Sequence, residues 1–423
     1  MHVRAFIVLS IATVLAAGPL ASSAGAADDP LRPVQWALDA IHLGDLLGAG
    51  PQAAPAGAGA VVAIVDSGID STHPELAGKV IAGPDFVDGG APDDANGHGT
   101  HLAGTVAAAS GNDTGGAGIA PDAKLLAVRV LDANNNGSVS TITRGIDAAT
   151  AAGADVINLS LNWPDSGASL TGVRAAMERA ANAGIAIIVA AGNDARDHCE
   201  QPVLEGRALC VGAIDANMAL ASFSSHGSGL GIVAPGTNVV STWPGGRYAS
   251  ASGTSEAAAQ ASGVAALLVG MGLHGEQIIQ RLEQTARDIG PGGYDDSTGF
   301  GMLDAARAVD GATEGRIPPM LQITAARSAA QRTVRRRGLG VTCDAARPGT
   351  CRVRLRVRGV VVASGQRDVS GAGPVPVRAT PTGAARRVLK GRHKLRGIIE
   401  AGLTGVPGAR RPVTLAPSGR RNG

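Results

Sequence analysis

Residues 61–65 read Val-Val-Ala-Ile-Val, an apolar run with no polar residue at alternate positions. A strand of this kind has to be covered on both faces, which excludes a sheet with one wetted side. Residues 125–131, 155–161, 185–190 and 209–214 repeat the signal, and the spacing between them predicts helices over 100–109, 139–152 and 170–183. Strands alternating with helices imply an α/β fold, a doubly wound and mostly parallel sheet. Right-handed crossovers then put helices on both of its faces. Aromatic residues are only 2% of the chain, so its core has to be built from Ala, Val, Leu and Ile.

Residues 255–271 differ from the other helical stretches, being Ala, Leu, Val, Gly and Ser on all sides. A helix apolar all round is a buried one. Residues 277–287 and 302–309 are expected to close the unit as surface helices. The organisation expected is a signal peptide at 1–27, a short lead-in at 28–59, a catalytic domain at 60–311 and a basic, β-rich, partly disordered region at 312–423. Arg4, the apolar run 6–17 and the small residues 21–27 carry the signal reading. The lead-in holds one helical piece, 34–47, and is too short for a folded pro-domain. No later segment is long and apolar enough to span a bilayer convincingly.

The net charge of +2 is unevenly spread. Residues 312–423 hold 21 Arg and 2 Lys against 2 Asp and 2 Glu, a charge of +19, which leaves −17 for residues 1–311. In the tail, residues 352–358 alternate Arg with Val or Leu, a period-two strand pattern. Such a face either binds an anionic cell-surface polymer or is merely solvated. Its lack of aromatics argues against stacking on nucleic-acid bases. Four cysteines suit an oxidising compartment. Cys199 with Cys210 and Cys343 with Cys351 is the simplest of three connectivities, free thiols being the alternative. No C-x-x-C spacing supports zinc.

Three segments carry chemistry. Asp66 ends the first apolar run, His98 stands between Gly97 and Gly99 just before a helix, and Ser255 follows Ser252-Gly253-Thr254. Each segment alone is weak evidence, but together they supply Asp, His and Ser in one of the known chain orders of a hydrolytic triad. A serine hydroxyl needs a base to take its proton and a third group to orient that base. Asp66 would emerge at the C-terminal edge of the sheet, where catalytic groups of open α/β sheets gather. Ser255 opens the buried helix, so its backbone N–H can bind a developing oxyanion. Asn193 follows another strand at the same edge and is a candidate second donor, although alone it reads as a turn residue. His98 and His101 as zinc ligands lack a third partner and an H-E-x-x-H motif. Asp93 and Asp94 read as a solvated loop, and Asp194 as either a pocket or a turn residue.

With residues 118–121, 156–161, 223–225, 233–236 and 299–303 added, the chain resembles the subtilisin-like serine protease family (subtilases, peptidase S8) over roughly 29–309. The resemblance implies that Asp66 orients His98, that His98 is general base and acid, that Ser255 attacks and that Asn193 completes the oxyanion hole. It also implies substrate binding by Ser160, Leu161, Asn162, Ala191 and Gly192, with an extended peptide added as a strand beside Ser160 and Leu161. His98 is expected to titrate near neutrality, so activity falls at acid pH. No cofactor is expected for catalysis, while Glu75 and Asn112 match positions that hold a structural calcium. The chain departs from the family at Glu256, where Met is usual, at Ala259, where Pro is usual, and at Asn162, where Gly is usual. An ionised Glu256 would repel the oxyanion and favour imidazolium on His98. The reading is a secreted, monomeric serine endopeptidase, extracellular or cell-wall associated, that acts on polypeptides. The alternative is a catalytically silent binding protein on the same scaffold.

Overall fold

The computed structural model describes residues 2–4, 29–47, 56–161, 170–196, 199, 207–227, 229–311, 321–325, 328–345, 349–357, 360–369, 373–389, 395–403 and 406–416. These divide into two units, Met1–Gly315 and Arg316–Gly423.

In the first unit seven strands form one sheet: β1 (Val61–Asp66), β2 (Val80–Asp85), β3 (Lys124–Arg129), β4 (Val156–Leu159), β5 (Ala186–Ala190), β6 (Ala208–Ile214) and β7 (Ile232–Pro235). Their order is β2-β3-β1-β4-β5-β6-β7. Every neighbouring pair is parallel, as the unbroken apolar runs require. The winding reverses at β1, and a parallel sheet opens a crevice beyond the C-terminal ends of its strands at such a point.

Both faces of the sheet are covered. Ala63, Val65, Val128, Ile157, Leu159, Ile187 and Val189 pack under α2 (Val139–Ala151) and α3 (Thr171–Asn182), meeting Ile142, Ile146, Val173 and Met177. On the other side lie α1 (His98–Ala107) and α4 (Thr254–Gly270), which also pack on each other. Every α4 residue from Thr254 to Leu268 is buried, and its small side chains let it lie close on β4, β5, β6 and β7. The helices begin and end within three residues of the expected positions. Truncating Ile187 to Ala in this two-sided core would cost about 2–5 kcal/mol.

Three features differ from the expectation. The lead-in helix is broken into Trp36–Ala40 and Leu43–Leu47, with His42 at φ 58° between them. Strands β2 and β7 are not among the expected runs, although β7 is the short buried stretch Ile-Val-Ala-Pro. A hairpin of β8 (Val239–Trp243) and β9 (Arg247–Ala251) feeds directly into α4. Of the expected signal segment only His2–Arg4 is described, as a strand pairing with Asn136–Ser138, and the remainder lies outside the described residues. Among the described residues no helix is long and apolar enough to cross a membrane.

The second unit is β-rich. Its eight-stranded sheet runs, in spatial order, Leu321–Ala325, Leu339–Ala345, Gly373–Pro381, Val360–Val369, Gly349–Val357, Leu395–Leu403, Val406–Ala416 and Ser328–Ala330. All its pairs are antiparallel except the last. Val353, Leu355 and Val357 are buried while Arg352 and Arg354 are exposed, so the period-two pattern is a strand with one core face. Three of these strands, Gly373–Pro381, Leu395–Leu403 and Val406–Ala416, lie beyond Gly371.

Candidate active site

Asp66 leaves the end of β1 fully buried, and its Oδ1 accepts from the Ser67 N–H and from His98 Nδ1, each at 2.7 Å. A carboxylate only accepts, so Nδ1 carries a proton, and in the neutral imidazole Nε2 keeps the lone pair. His98 opens α1, and α1 starts against the loop after β1. A Cβ on Gly99 would sit 2.1 Å from the Gly68 carbonyl oxygen, so only glycine allows this approach.

Asp94, expected in a solvated loop, holds the start of α1. Its Oδ1 accepts from the Asn96 and Gly97 N–H groups at 2.9 and 2.8 Å and from the Ser67 hydroxyl at 2.9 Å. Its Oδ2 accepts from the Thr100 N–H at 2.8 Å and the Thr100 hydroxyl at 2.6 Å. One carboxylate thus satisfies several orphan donors of the helix that carries His98.

Ser255 is the second residue of α4 and 6% exposed. Thr254, just before it, donates its N–H and its hydroxyl to Asn193 Oδ1 at 2.9 and 3.0 Å. Asn193 Nδ2 then turns the other way. A Cβ on Gly253 would sit 3.3 Å from Asn193 Nδ2 and 3.6 Å from the Ser255 backbone nitrogen, so the two flank one point. Ser160 is buried, and its hydroxyl donates to the Ser255 carbonyl at 3.2 Å. Asn158 donates to Ser160 Oγ and accepts from Ser262, which ties β4 to α4. Leu161 is buried at the end of β4. Ala191 continues the sheet by donating to the Val211 carbonyl, and Gly192 donates to the Thr254 hydroxyl. Asn162 lies outside the described residues.

A model of the subtilase family matches residues 57–301. The chain belongs to the subtilase family. It is 44% identical over 255 residues to thermitase of Thermoactinomyces vulgaris, covering 60% of this chain and 89% of thermitase. It is 45% identical over 253 residues to a thermophilic serine proteinase of Bacillus sp. (strain AK1), covering 59% of this chain. Of that proteinase's own length the match spans only 62%. A crystal structure of a cold-adapted subtilisin-like serine proteinase superposes with a TM-score of 0.54 at 32% identity, covering 59% of this chain and 89% of that one.

In this subtilase three carboxyl groups, those of Asp66, Glu256 and Asp94, act on His98. Burial pushes the imidazole pKa down. Asp66 outweighs this, with Glu256 and Asp94 adding to it, and the pKa rises to about 9, above the neutral value expected from the sequence. Glu256 is 1% exposed, and burial carries its carboxyl up to about 7 against the pull of His98.

Glu75 and Asn112, the expected calcium pair of this subtilase, come together beside Asp29. Glu75 is fully buried, with Tyr248 donating to Oε1 at 3.1 Å and Oε2 without a hydrogen-bond partner. Burial, with Asp29 adding repulsion, pushes its carboxyl up to about 7. An orphaned carboxylate oxygen beside a second acid fits a hard cation. Among the described residues no three acidic, His or Cys side chains are grouped so as to hold a metal ion, so the other ligands would be amide and carbonyl oxygens. Disulfides join Cys199 to Cys210 and Cys343 to Cys351, with Cα separations of 6.6 and 6.7 Å.

Proposed function

We propose that the protein is a secreted serine endopeptidase that cleaves extended polypeptides through an acyl-enzyme. The observation that carries this reading is the 2.7 Å bond between His98 Nδ1 and Asp66 Oδ1, which leaves Nε2 as a base on a helix packed against the one that presents Ser255. His98 Nε2 takes the Ser255 hydroxyl proton as Oγ attacks the peptide carbonyl. The oxygen that gains the negative charge sits between Asn193 Nδ2 and the Ser255 N–H. His98 then gives its proton to the leaving amine, and water releases the acyl group by the same steps in reverse order.

The peptide lies as an added strand beside Ser160 and Leu161, with 191–192 on its other side. The inward bonds of Ser160 support this, since they leave side-chain recognition to neighbouring residues. Two disulfides and the N-terminal sequence support export. Glu75 and Asn112 would hold a calcium ion that braces their loop and supplies no chemistry to the cleavage. The arginine face of the second unit is the surface for an anionic polymer, and the enzyme acts as a monomer.

A fluorophosphonate probe should label the protein covalently, and Ser255→Ala should abolish both labelling and turnover. Labelling that survives in that variant would refute the assignment. A second reading, a silent binding protein, is favoured by one observation, the buried Glu256 next to the nucleophile. It requires a wild-type protein that never labels at any pH.

A further inference from the structure

Two buried polar atoms near Ser255 face each other without hydrogen-bond partners. They are Glu256 Oε1 and His101 Nδ1, 3.6 Å apart on side chains that are each 1% exposed. His101 Nε2 lies 3.1 Å from the Val239 carbonyl oxygen and 3.3 Å from that of Ala249. Both neighbours only accept, so Nε2 carries a proton and neutral His101 offers Nδ1 as an acceptor. The atom that faces it has to bring a proton or leave two lone pairs opposed.

The second oxygen of Glu256 decides why this matters. Oε2 lies 2.8 Å from the position a Cβ on Gly253 would take, the same point flanked by Asn193 Nδ2 and the Ser255 nitrogen. A charge on this carboxylate therefore stands beside Asn193 Nδ2 and the Ser255 nitrogen, the two proposed oxyanion donors. The other charged groups facing the pair are His98, on α1 with His101, and Asp66 at the end of β1. Asp94, in the loop before α1, acts on His98. From β8 and β9 come the two carbonyls and the edge of the Trp243 ring. From the loop after β5 comes the Asn193 amide.

We propose that Glu256 and His101 share one buried proton, carried on Glu256 Oε1 and directed at His101 Nδ1, with a small closure of the 3.6 Å gap bringing the pair into hydrogen-bond range, and that this proton keeps the oxyanion site neutral for acylation. Glu256 is thus a positioning residue that acts on charge at the site. Burial and repulsion from His98 hold His101 down at about 4, while Glu256 sits near 7, so the proton belongs on the carboxyl. When hydroxide removes it, the carboxylate competes with the oxyanion for Asn193 Nδ2 and favours imidazolium on His98. Both effects slow attack by Ser255. The kinetic half of this inference rests on the hydrolase reading; the shared proton does not.

The test compares the full-length wild-type chain with Glu256→Gln and Glu256→Met. Labelling rates with a fluorophosphonate are followed against pH. The wild-type rate should fall about tenfold per pH unit on the alkaline side. Either neutral variant should keep its rate there, while its rising limb, on which the wild-type carboxyl is still protonated, should stay close to that of the wild type. Variant profiles that fall on the alkaline side as the wild type's does would overturn the proposal, as would variants slowed equally at every pH. The proton itself is read by infrared spectroscopy on the Ser255→Ala chain, which cannot digest itself. A protonated-carboxyl band that disappears with rising pH, and is missing once Glu256→Gln is added, supports the sharing. Identical spectra with and without Glu256→Gln overturn it. Failure of the wild type to label at any pH would remove the hydrolase reading and the kinetic half together, and the infrared band would still decide the shared proton.

Discussion

Thr254 holds Asn193 by its amide oxygen, through the backbone N–H at 2.9 Å and the hydroxyl at 3.0 Å. Thr254, just before the proposed nucleophile, thereby sets the direction in which Asn193 Nδ2, the proposed second oxyanion donor, points. Asn193→Ala should lower kcat by about 10²–10³-fold with little change in KM. Thr254→Val removes one of the two bonds and leaves the Gly192 N–H unpaired. It should lower kcat by roughly tenfold, by analogy with other loosened supporting bonds. Because both act on one donor, the double variant should be no slower than Asn193→Ala alone, which steady-state kinetics on a chromogenic peptide would check.

Asp94 makes a different kind of contribution. It holds the first turn of α1 and the Ser67 hydroxyl at once. Asp94→Ala should destabilise the fold by about 1–2 kcal/mol through the lost cap. It should also lower kcat, because His98 sits in that same turn. Asp94→Asn keeps one acceptor and should recover part of both effects. Denaturant titration of the Ser255→Ala background gives the stability, and kinetics of the single variants give the rate.

The parallel strands were legible because burial on two faces leaves an unbroken apolar run, as in β1 and β5. Strand β2 was not, because it lies at the sheet edge, exposes Ile81 and Ala82, and contains Pro84. The β8–β9 hairpin was missed although Pro244-Gly245-Gly246 is a turn signal, with both glycines at positive φ. Its strands are rich in Ser, Thr and Ala and carry no strong apolar alternation. Asp66, His98 and Ser255 stood out as candidates because one ends a strand and two begin helices close to glycine, whereas Asn193, past the end of β5, reads alone as a turn residue and drew its role from the resemblance. Asp94, Asn158 and Ser262 did not stand out, since a polar residue reveals its role only through its partner, and those partners are distant in sequence. The facing of His101 and Glu256 belongs to the same class, being made by the packing of α1 on α4.

Calcium bears on the loop of Glu75 and Asn112. If the ion is held there, added calcium should raise the melting temperature of the Ser255→Ala chain and a chelator should lower it. At about 100 times its dissociation constant a ligand stabilises by about 2.7 kcal/mol. Glu75→Gln should remove most of the calcium response. A melting temperature indifferent to calcium in the parent chain would exclude the site.

The stability of the protein should also report the buried acid next to Ser255. Glu256 titrates at about 7 in the fold and at its ordinary value of 4.5 when unfolded, so the folded state binds its proton more tightly. That contribution is full below 4.5, is lost as pH rises to about 7, and leaves a constant penalty above. His98, raised from 6.5 to about 9, works in the same direction: its stabilisation is present below 6.5 and lost as pH rises through about 9. His101, lowered from 6.5 to about 4, works in the opposite direction and destabilises the fold as pH falls through that interval. Adding Glu256→Gln to the Ser255→Ala chain removes the penalty of burying a carboxylate. It also removes the partner that favours charged His98, a loss that vanishes once His98 is neutral. The variant should therefore melt higher than its parent at alkaline pH, by about 2–4 °C for each kcal/mol regained. The gap should be widest above about 9 and should close toward acid pH, where the parent's carboxyl is already protonated. Thermal scans across the pH range check this, and a gap of constant size would mean that Glu256 does not titrate with folding.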